Sequence, residues 1–233
     1  MLIIGHRGAK GLATENTQAS LEAGMINGAD ILEFDIRKTK DNVLIVIHDA
    51  RLTRTHKRNI AVNKLTLDEL RAQSEDTPIP TLKEVLDKFY GKILLNIEIK
   101  SRGAGVAVIA LLKTGYIKKP SDWDNILISA FKGSELVKIR KIAPKANLSL
   151  LHLENPFMFI AYHRRVTLTA VGFHRLYLNR FALEIARRLQ LFTYVYTVNR
   201  TAAIPLLQEQ KIDGIVTDYP DKFRAHIVLH KQD

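Results

Sequence analysis

Short apolar runs, each closing on polar or charged residues, recur along this 233-residue chain with stretches of helical spacing between them. The first run, LIIG, leads into His6. Further strand candidates lie at 30–36, 92–99, 125–130, 147–152, 169–173, 192–198 and 214–217, making eight. Residues 15–27 are rich in helix formers, with Thr14 a candidate N-cap and Gly28 a candidate stop. Helix-like segments also fall near 104–114, 132–142, 156–164, 179–190 and 200–210. Eight strands alternating with helices over this length predict a closed (β/α)8 TIM barrel rather than an open doubly wound sheet. The alternation has no linker, so residues 1–233 read as one domain.

The run VLIVIHD, ending in His48 and Asp49, follows Asp35 after too short a connection for a parallel crossover. It is therefore expected to be a hairpin arm that turns near Asp41 and brings His48 back opposite Asp35, close to His6. A small insertion follows this arm. Residues 50–63 read as a basic loop, and helices near 66–73 and 81–89 follow, each opened by a threonine (Thr66, Thr81) with a glutamate three positions on.

Ordinary proportions of apolar and charged residues point to a globular chain, and no apolar run reaches the roughly 18 residues of a membrane-spanning helix. The start MLIIGHRG carries no basic leader, so the expected address is cytoplasmic. Cysteine is absent, which removes disulfides and thiolate metal ligands from consideration. A formal charge of +11 raises the question of an anionic partner. Its basic residues are scattered, at Arg51, Arg54, Lys57 and Arg58, at Lys138, Arg140 and Lys141, and at His163, Arg164 and Arg165. They read as solvated faces, and no specific nucleic-acid partner is expected.

The chemistry gathers in the first hundred residues. Glu33 and Asp35 are two apart and share one side of their strand, away from Leu32, Phe34 and Ile36; Asn96, Glu98 and Lys100 likewise oppose Ile97 and Ile99. In a barrel the apolar set faces the helices, so the acids face inward at the mouth. Three converging carboxylates repel one another unless neutralised, and a divalent cation would do so. Oxygen-only ligands favour Mg²⁺ or Ca²⁺. That leaves His6 and His48 to titrate as acid and base. Arg7 suits bidentate contact with phosphate, and Lys100 is in phase to add a second positive charge. Tyr196, Asn199 and Asp218 lie at late strand ends and are candidates for shaping a substrate pocket. His152, His163 and His174 are candidates for the rim, whereas His56, His226 and His230 read as solvent-facing.

Taken together, these residues resemble the glycerophosphodiester phosphodiesterase family over nearly the whole chain. The ordered pattern runs His6-Arg7-Gly8, Glu15-Asn16-Thr17, Gly28-Ala29-Asp30 into Glu33 and Asp35, Thr39-Lys40-Asp41, His48-Asp49, Ile79-Pro80-Thr81-Leu82, Glu98-Ile99-Lys100 and Asp213-Gly214-Ile215-Val216-Thr217-Asp218-Tyr219-Pro220. The resemblance implies a barrel hydrolase that releases glycerol 3-phosphate and an alcohol from a small glycerophosphodiester with a divalent cation. It implies metal ligation by Glu33, Asp35 and Glu98, proton transfer by His6 and His48, and phosphate contact by Arg7 and Lys100. Whether the nucleophile is water or a neighbouring glycerol hydroxyl stays open, as does the division of acid and base between the histidines. Three positions depart from the pattern: Thr14 where proline is usual, Ala130 where serine is common, and Tyr196 where tryptophan is common, which bears on the alcohol side of the pocket. Lysophospholipase D-type hydrolysis is the related alternative, and binding of nucleic acid the alternative of a different class.

Overall fold

The computed structural model describes residues 1–152, 155 and 157–229. Strands β1 (Leu2–Gly5), β2 (Ile31–Lys38), β4 (Leu94–Ile99), β5 (Ile126–Ala130), β6 (Asn147–His152), β7 (Ala170–His174), β8 (Phe192–Tyr196) and β9 (Gly214–Thr217) pair in parallel, and β1 joins both β9 and β2 to close the barrel. The predicted TIM barrel is thus the fold, and each of its strands lies within two residues of its sequence-based bounds at either end.

Helices cover the outside: α1 (Gln18–Ile26), α4 (Leu82–Phe89), α5 (Ala104–Gly115), α6 (Gly133–Ile142), α7 (Met158–Val166), α8 (Arg180–Arg188), α9 (Ile204–Glu209) and α10 (Pro220–Leu229). The sequence reading had no counterpart for the last of these. Two short helices, α2 (Thr53–His56) and α3 (Leu67–Ala72), belong to the insertion. The caps Thr66 and Thr81 form as expected, each accepting from the glutamate three residues on while that glutamate accepts from the cap backbone.

The chain between β1 and α1 departs from expectation. The helix starts at Gln18, capped by Thr17 rather than Thr14, because the preceding residues wrap over the barrel rim. Within the wrap, Gly8 has φ +88°, and a Cβ there would meet Ser20 backbone at 2.4 Å, so glycine is required where the wrap crosses α1. Ser20 Oγ donates to the Arg7 carbonyl at 2.8 Å and accepts from Ala9 N at 2.9 Å, fastening loop to helix.

Strand β3 (Leu44–Val46) is the predicted hairpin arm. Alongside β2, β1 reaches only Ile31 and Leu32, which leaves the upper part of β2 an open edge. The arm fills it antiparallel, with Ile36 opposite Val46 and Lys38 opposite Leu44. The stretch 50–63 is more than a loop. It folds back so that Leu52 and Val62 bury against Ile45, Ile47, Leu70 and Ile79 in a small core of their own.

Period-two alternation sorts the rest. Leu32, Phe34, Ile36, Ile97 and Ile99 join the large core between barrel and helices, while Ile4, Ile31, Leu151, Tyr194 and Val216 fill the barrel interior.

Candidate active site

The inward positions of β2 and β4 are in register, Glu33 beside Asn96 and Asp35 beside Glu98. Because both strands bury their apolar sets outward, Glu33, Asp35 and Glu98 face one another inside the C-terminal mouth, each offering an oxygen within 4.8 Å of the others. All three are buried. Burial, together with the charges of Asp35 and Glu98, pushes Glu33 well above the usual carboxylate range. Burial and Asp35 raise Glu98 to about 7.

Two cations partly offset this cluster. Lys100 Nζ donates to Glu98 Oε1 at 2.7 Å and lies 3.6 Å from Asp35 Oδ1. Arg7 Nε lies 3.5 Å from Asp35 Oδ2, and Arg7 N donates to Glu33 Oε2 at 2.9 Å. The arginine reaches this position with φ +52°, a conformation that costs about 1–3 kcal/mol outside glycine. Asn16, with φ +60°, donates to Asp35 Oδ2 at 2.9 Å and accepts from Asp35 N at 3.2 Å. An all-oxygen donor set, crowded enough to raise two of its own acids, fits a hard divalent cation and has no soft ligand to favour zinc or copper.

His6 leaves β1 directly at the mouth. Its Nδ1 meets Asp218 Oδ1 at 2.5 Å, and Asp218 is fixed in turn by Asn199 through a side-chain bond of 2.8 Å and a backbone bond of 2.9 Å. Those contacts hold the Asp218 carboxyl below its usual range despite burial. Asp218 and Asn199 therefore orient a histidine, where the sequence suggested only pocket shape.

The register of the arm differs from expectation by one residue. Pairing of Ile36 with Val46 puts Ile47, not His48, opposite Asp35, and Ile47 N donates to Asp35 O at 2.9 Å. The cause is the small core under the arm, which claims Ile45 and Ile47. His48 follows just after the strand ends, within electrostatic reach of Asp35, Lys100 and Arg7, and burial lowers its pKa below the imidazole norm. Its Nδ1 meets Asp49 Oδ1 at 2.7 Å. From Asp49 the network runs to Arg54 Nε at 2.7 Å, then to Glu15, which also accepts from Arg7 Nη1 at 2.6 Å. Against the effect of burial, Arg54 and Arg7 hold Glu15 at about 2. Arg54, counted among solvated basic residues in the sequence, is the bridge between the two histidine-bearing loops.

The opposite side of the mouth is aromatic. A small cavity of about 40 Å³ is lined by His6, Glu33, Asn96, Glu98, Phe131, Leu151, Tyr194, Tyr196, Thr197 and Val216. Tyr196 offers its ring to this cavity, since its hydroxyl is spent on the His152 carbonyl at 2.6 Å. His152 itself is buried against Phe173, and burial lowers it to about 4, so it is a neutral packing residue and not a rim base. His174 packs on Tyr196 and Tyr177. His56 is not solvent-facing: its two ring nitrogens meet Thr55 Oγ1 and Thr77 O. His226 is half-buried on α10, and His230 lies outside the described residues.

A model of the glycerophosphoryl diester phosphodiesterase family matches residues 6–222, a span that includes both His6 and Asp218. The chain belongs to that family. Among its relatives, a glycerophosphodiester phosphodiesterase of Bacillus subtilis is 32% identical over 251 residues, covering 96% of this chain and 85% of that protein. The crystal structure of a glycerophosphodiester phosphodiesterase from Thermotoga maritima superposes with a TM-score of 0.83 at 26% identity, over 97% of each chain. A shorter match, 37% identical over 112 residues, is to a lysophospholipase D of Mus musculus and covers 42% of this chain and 35% of that protein.

Proposed function

We propose that this member of the family hydrolyses soluble glycerophosphodiesters to glycerol 3-phosphate and an alcohol, with Glu33, Asp35 and Glu98 holding a divalent cation, Mg²⁺ or Ca²⁺. The observation that carries the reading is the meeting of three buried carboxylates with Arg7 and Lys100 beside two histidines whose Nδ1 atoms are already engaged. When bound, the cation would add positive charge where the phosphoryl oxygens become more negative.

Arg7 binds the phosphate as an ion and orients it, its guanidinium kept in place by Glu15 and Asp35. Lys100, raised by Glu98 and Asp35 against the effect of burial, stays charged and adds to the same field. Asp218 and Asp49 each accept from an imidazole Nδ1–H, which presents Nε2 of His6 and of His48 for proton transfer. One histidine removes the proton of the nucleophile as its oxygen bonds to phosphorus, and the other delivers a proton to the departing alkoxide as the phosphorus–oxygen bond to the alcohol breaks. Water as nucleophile gives glycerol 3-phosphate directly, and a neighbouring glycerol hydroxyl gives a cyclic phosphate that water then opens. Tyr196 and Phe131 wall the side on which the alcohol leaves.

A second reading, cleavage of lysophospholipids, is favoured by that aromatic wall and by the partial match to a lysophospholipase D. The test is a screen of glycerophosphodiesters with different head groups beside a detergent-dispersed lysolipid, with and without chelator, detecting glycerol 3-phosphate released from the soluble diesters and lysophosphatidic acid released from the lysolipid. Turnover of soluble diesters that stops on chelation and returns with Mg²⁺ or Ca²⁺ is expected. Full turnover in excess chelator sinks the cation assignment, and turnover of the lysolipid alone replaces the first reading by the second.

A further inference from the structure

Rings lead in succession from the carboxylates to solvent. Lys100 Nζ lies 5.3 Å from the Phe131 centroid, Phe131 meets Tyr196 at 5.9 Å, Tyr196 meets His174 at 5.7 Å, and His174 meets Tyr177 at 5.6 Å. Where this path ends, the surface stays apolar: Leu176 is 73% exposed and Phe181 67%, with Met158, Tyr177 and Phe157 also exposed. Phe157 and Phe181 touch, their centroids 6.1 Å apart, so Phe157 before α7 and Phe181 in α8 belong to one patch. Scattered apolar side chains are normal on a soluble surface, but a joined group of large ones marks an interaction site.

Charge narrows the occupant. Exposed Lys132, Arg175, Arg180 and Arg200 follow β5, β7 and β8 at the same end of the barrel. The described residues within 131–134, 157–158, 174–183 and 197–203 include no aspartate or glutamate, while Glu154 lies outside the described residues. A second copy of the chain fits badly, because a two-fold contact on this face would set cations against cations. Large apolar side chains among arginines suit the headgroup boundary of an anionic bilayer, where the rings and alkyl groups enter the acyl edge and the guanidinium groups meet phosphate. Among the described residues no helix is long and apolar enough to cross a membrane, so contact on this face would be peripheral.

We infer that Phe157, Met158 and the segment after β7 dock the barrel on an anionic phospholipid surface, with the mouth turned toward the lipid. The inference does not depend on which phosphodiester the site cleaves. Its test is co-sedimentation of the full chain with vesicles of phosphatidylcholine and of phosphatidylcholine mixed with phosphatidylglycerol. Binding to the mixed vesicles should weaken in high salt. The double variant Leu176→Ser/Phe181→Ser should lose about tenfold or more in partitioning through its lost apolar burial. Arg180→Gln/Arg200→Gln should lose about tenfold through two missing charges, on the mixed vesicles only. Both variants should retain turnover of a soluble glycerophosphodiester. If the apolar pair fails to fold, Leu176→Ser alone should move partitioning in the same direction. The inference is overturned if the wild type ignores mixed vesicles or if the apolar variants partition as it does. It is also overturned if the chain forms a dimer that these substitutions dissolve without any lipid binding.

Discussion

The two sides of the barrel mouth bury their side chains by opposite means. On the β2–β4 side, Glu33, Asp35 and Glu98 are held against Arg7 and Lys100 by hydrogen bonds and ion pairs. On the β6–β8 side, Tyr194, Tyr196, Phe131 and Leu151 fill the same radius with rings and methyls, and their polar tips are spent on Ser149 Oγ and the His152 carbonyl. The first arrangement depends on compensation, since removing one partner strands a buried charge. The second depends on shape and tolerates the loss of a polar tip. Catalytic sensitivity should therefore be concentrated on one side, and substitutions can test that division.

The largest effect is expected at the histidines that face the charged side. His6→Ala and His48→Ala should each lower kcat by about 10²–10⁴-fold with much smaller changes in KM, as loss of an acid or base predicts. The double variant should be far less impaired than the product of the two, because both act on one displacement. Near-normal kcat in either single variant would remove that residue from proton transfer.

Next comes the residue that orients His6. Asp218→Asn should lower kcat by about 10–100-fold, the usual size for loss of an orienting partner, with KM little changed and the pH–rate profile displaced. An unchanged profile would make Asp218 a packing residue.

Stability against pH separates carboxylates within the charged side itself. Glu98, raised from 4.5 to about 7 when folded, contributes stability in full below about pH 4.5 and loses it as pH rises through about 7. Glu15, lowered to about 2, contributes in full above about 4.5 and loses it as pH falls through about 2. Thermal melts in chelator should thus show Tm falling between about pH 5 and about pH 8, and Mg²⁺ or Ca²⁺ should flatten that fall. A Tm that is flat across this range in chelator and unmoved by either cation would argue against a strained acidic cluster.

The smallest effect belongs to the aromatic side. Tyr196→Phe removes only the bond to the His152 carbonyl, a loss of about 1 kcal/mol in stability, and kcat should stay within a few-fold of wild type. A loss as large as that of His6→Ala would mean that the two sides do not divide as described.

Much of this was legible in the chain. Strand period and inward phase follow from local pattern, so the barrel, the facing acids Glu33, Asp35 and Glu98, and the caps Thr66 and Thr81 could all be read from spacing. The partners of the histidines were harder. Asp49 sits beside His48 in the sequence, but Asp218 meets His6 across 212 positions, and neither spacing nor composition marks that pair. Arg54 was hidden for the same reason, one basic residue among many until the insertion folded back on Glu15.

What the sequence determined alone is whatever repeats with a short period: alternating faces fix which side chains a strand sends inward, and a threonine three residues before a glutamate fixes a helix start. What tertiary structure decided is whatever depends on competing burial. The arm took the register that sinks Ile45 and Ile47 beneath Leu52 and Val62, moving His48 one place past Asp35, and α1 began at Gln18 because the loop before it was needed over the carboxylates. Local preference sets the alternatives, and the choice among them falls to contacts between residues far apart in the chain, whose energies no local pattern contains.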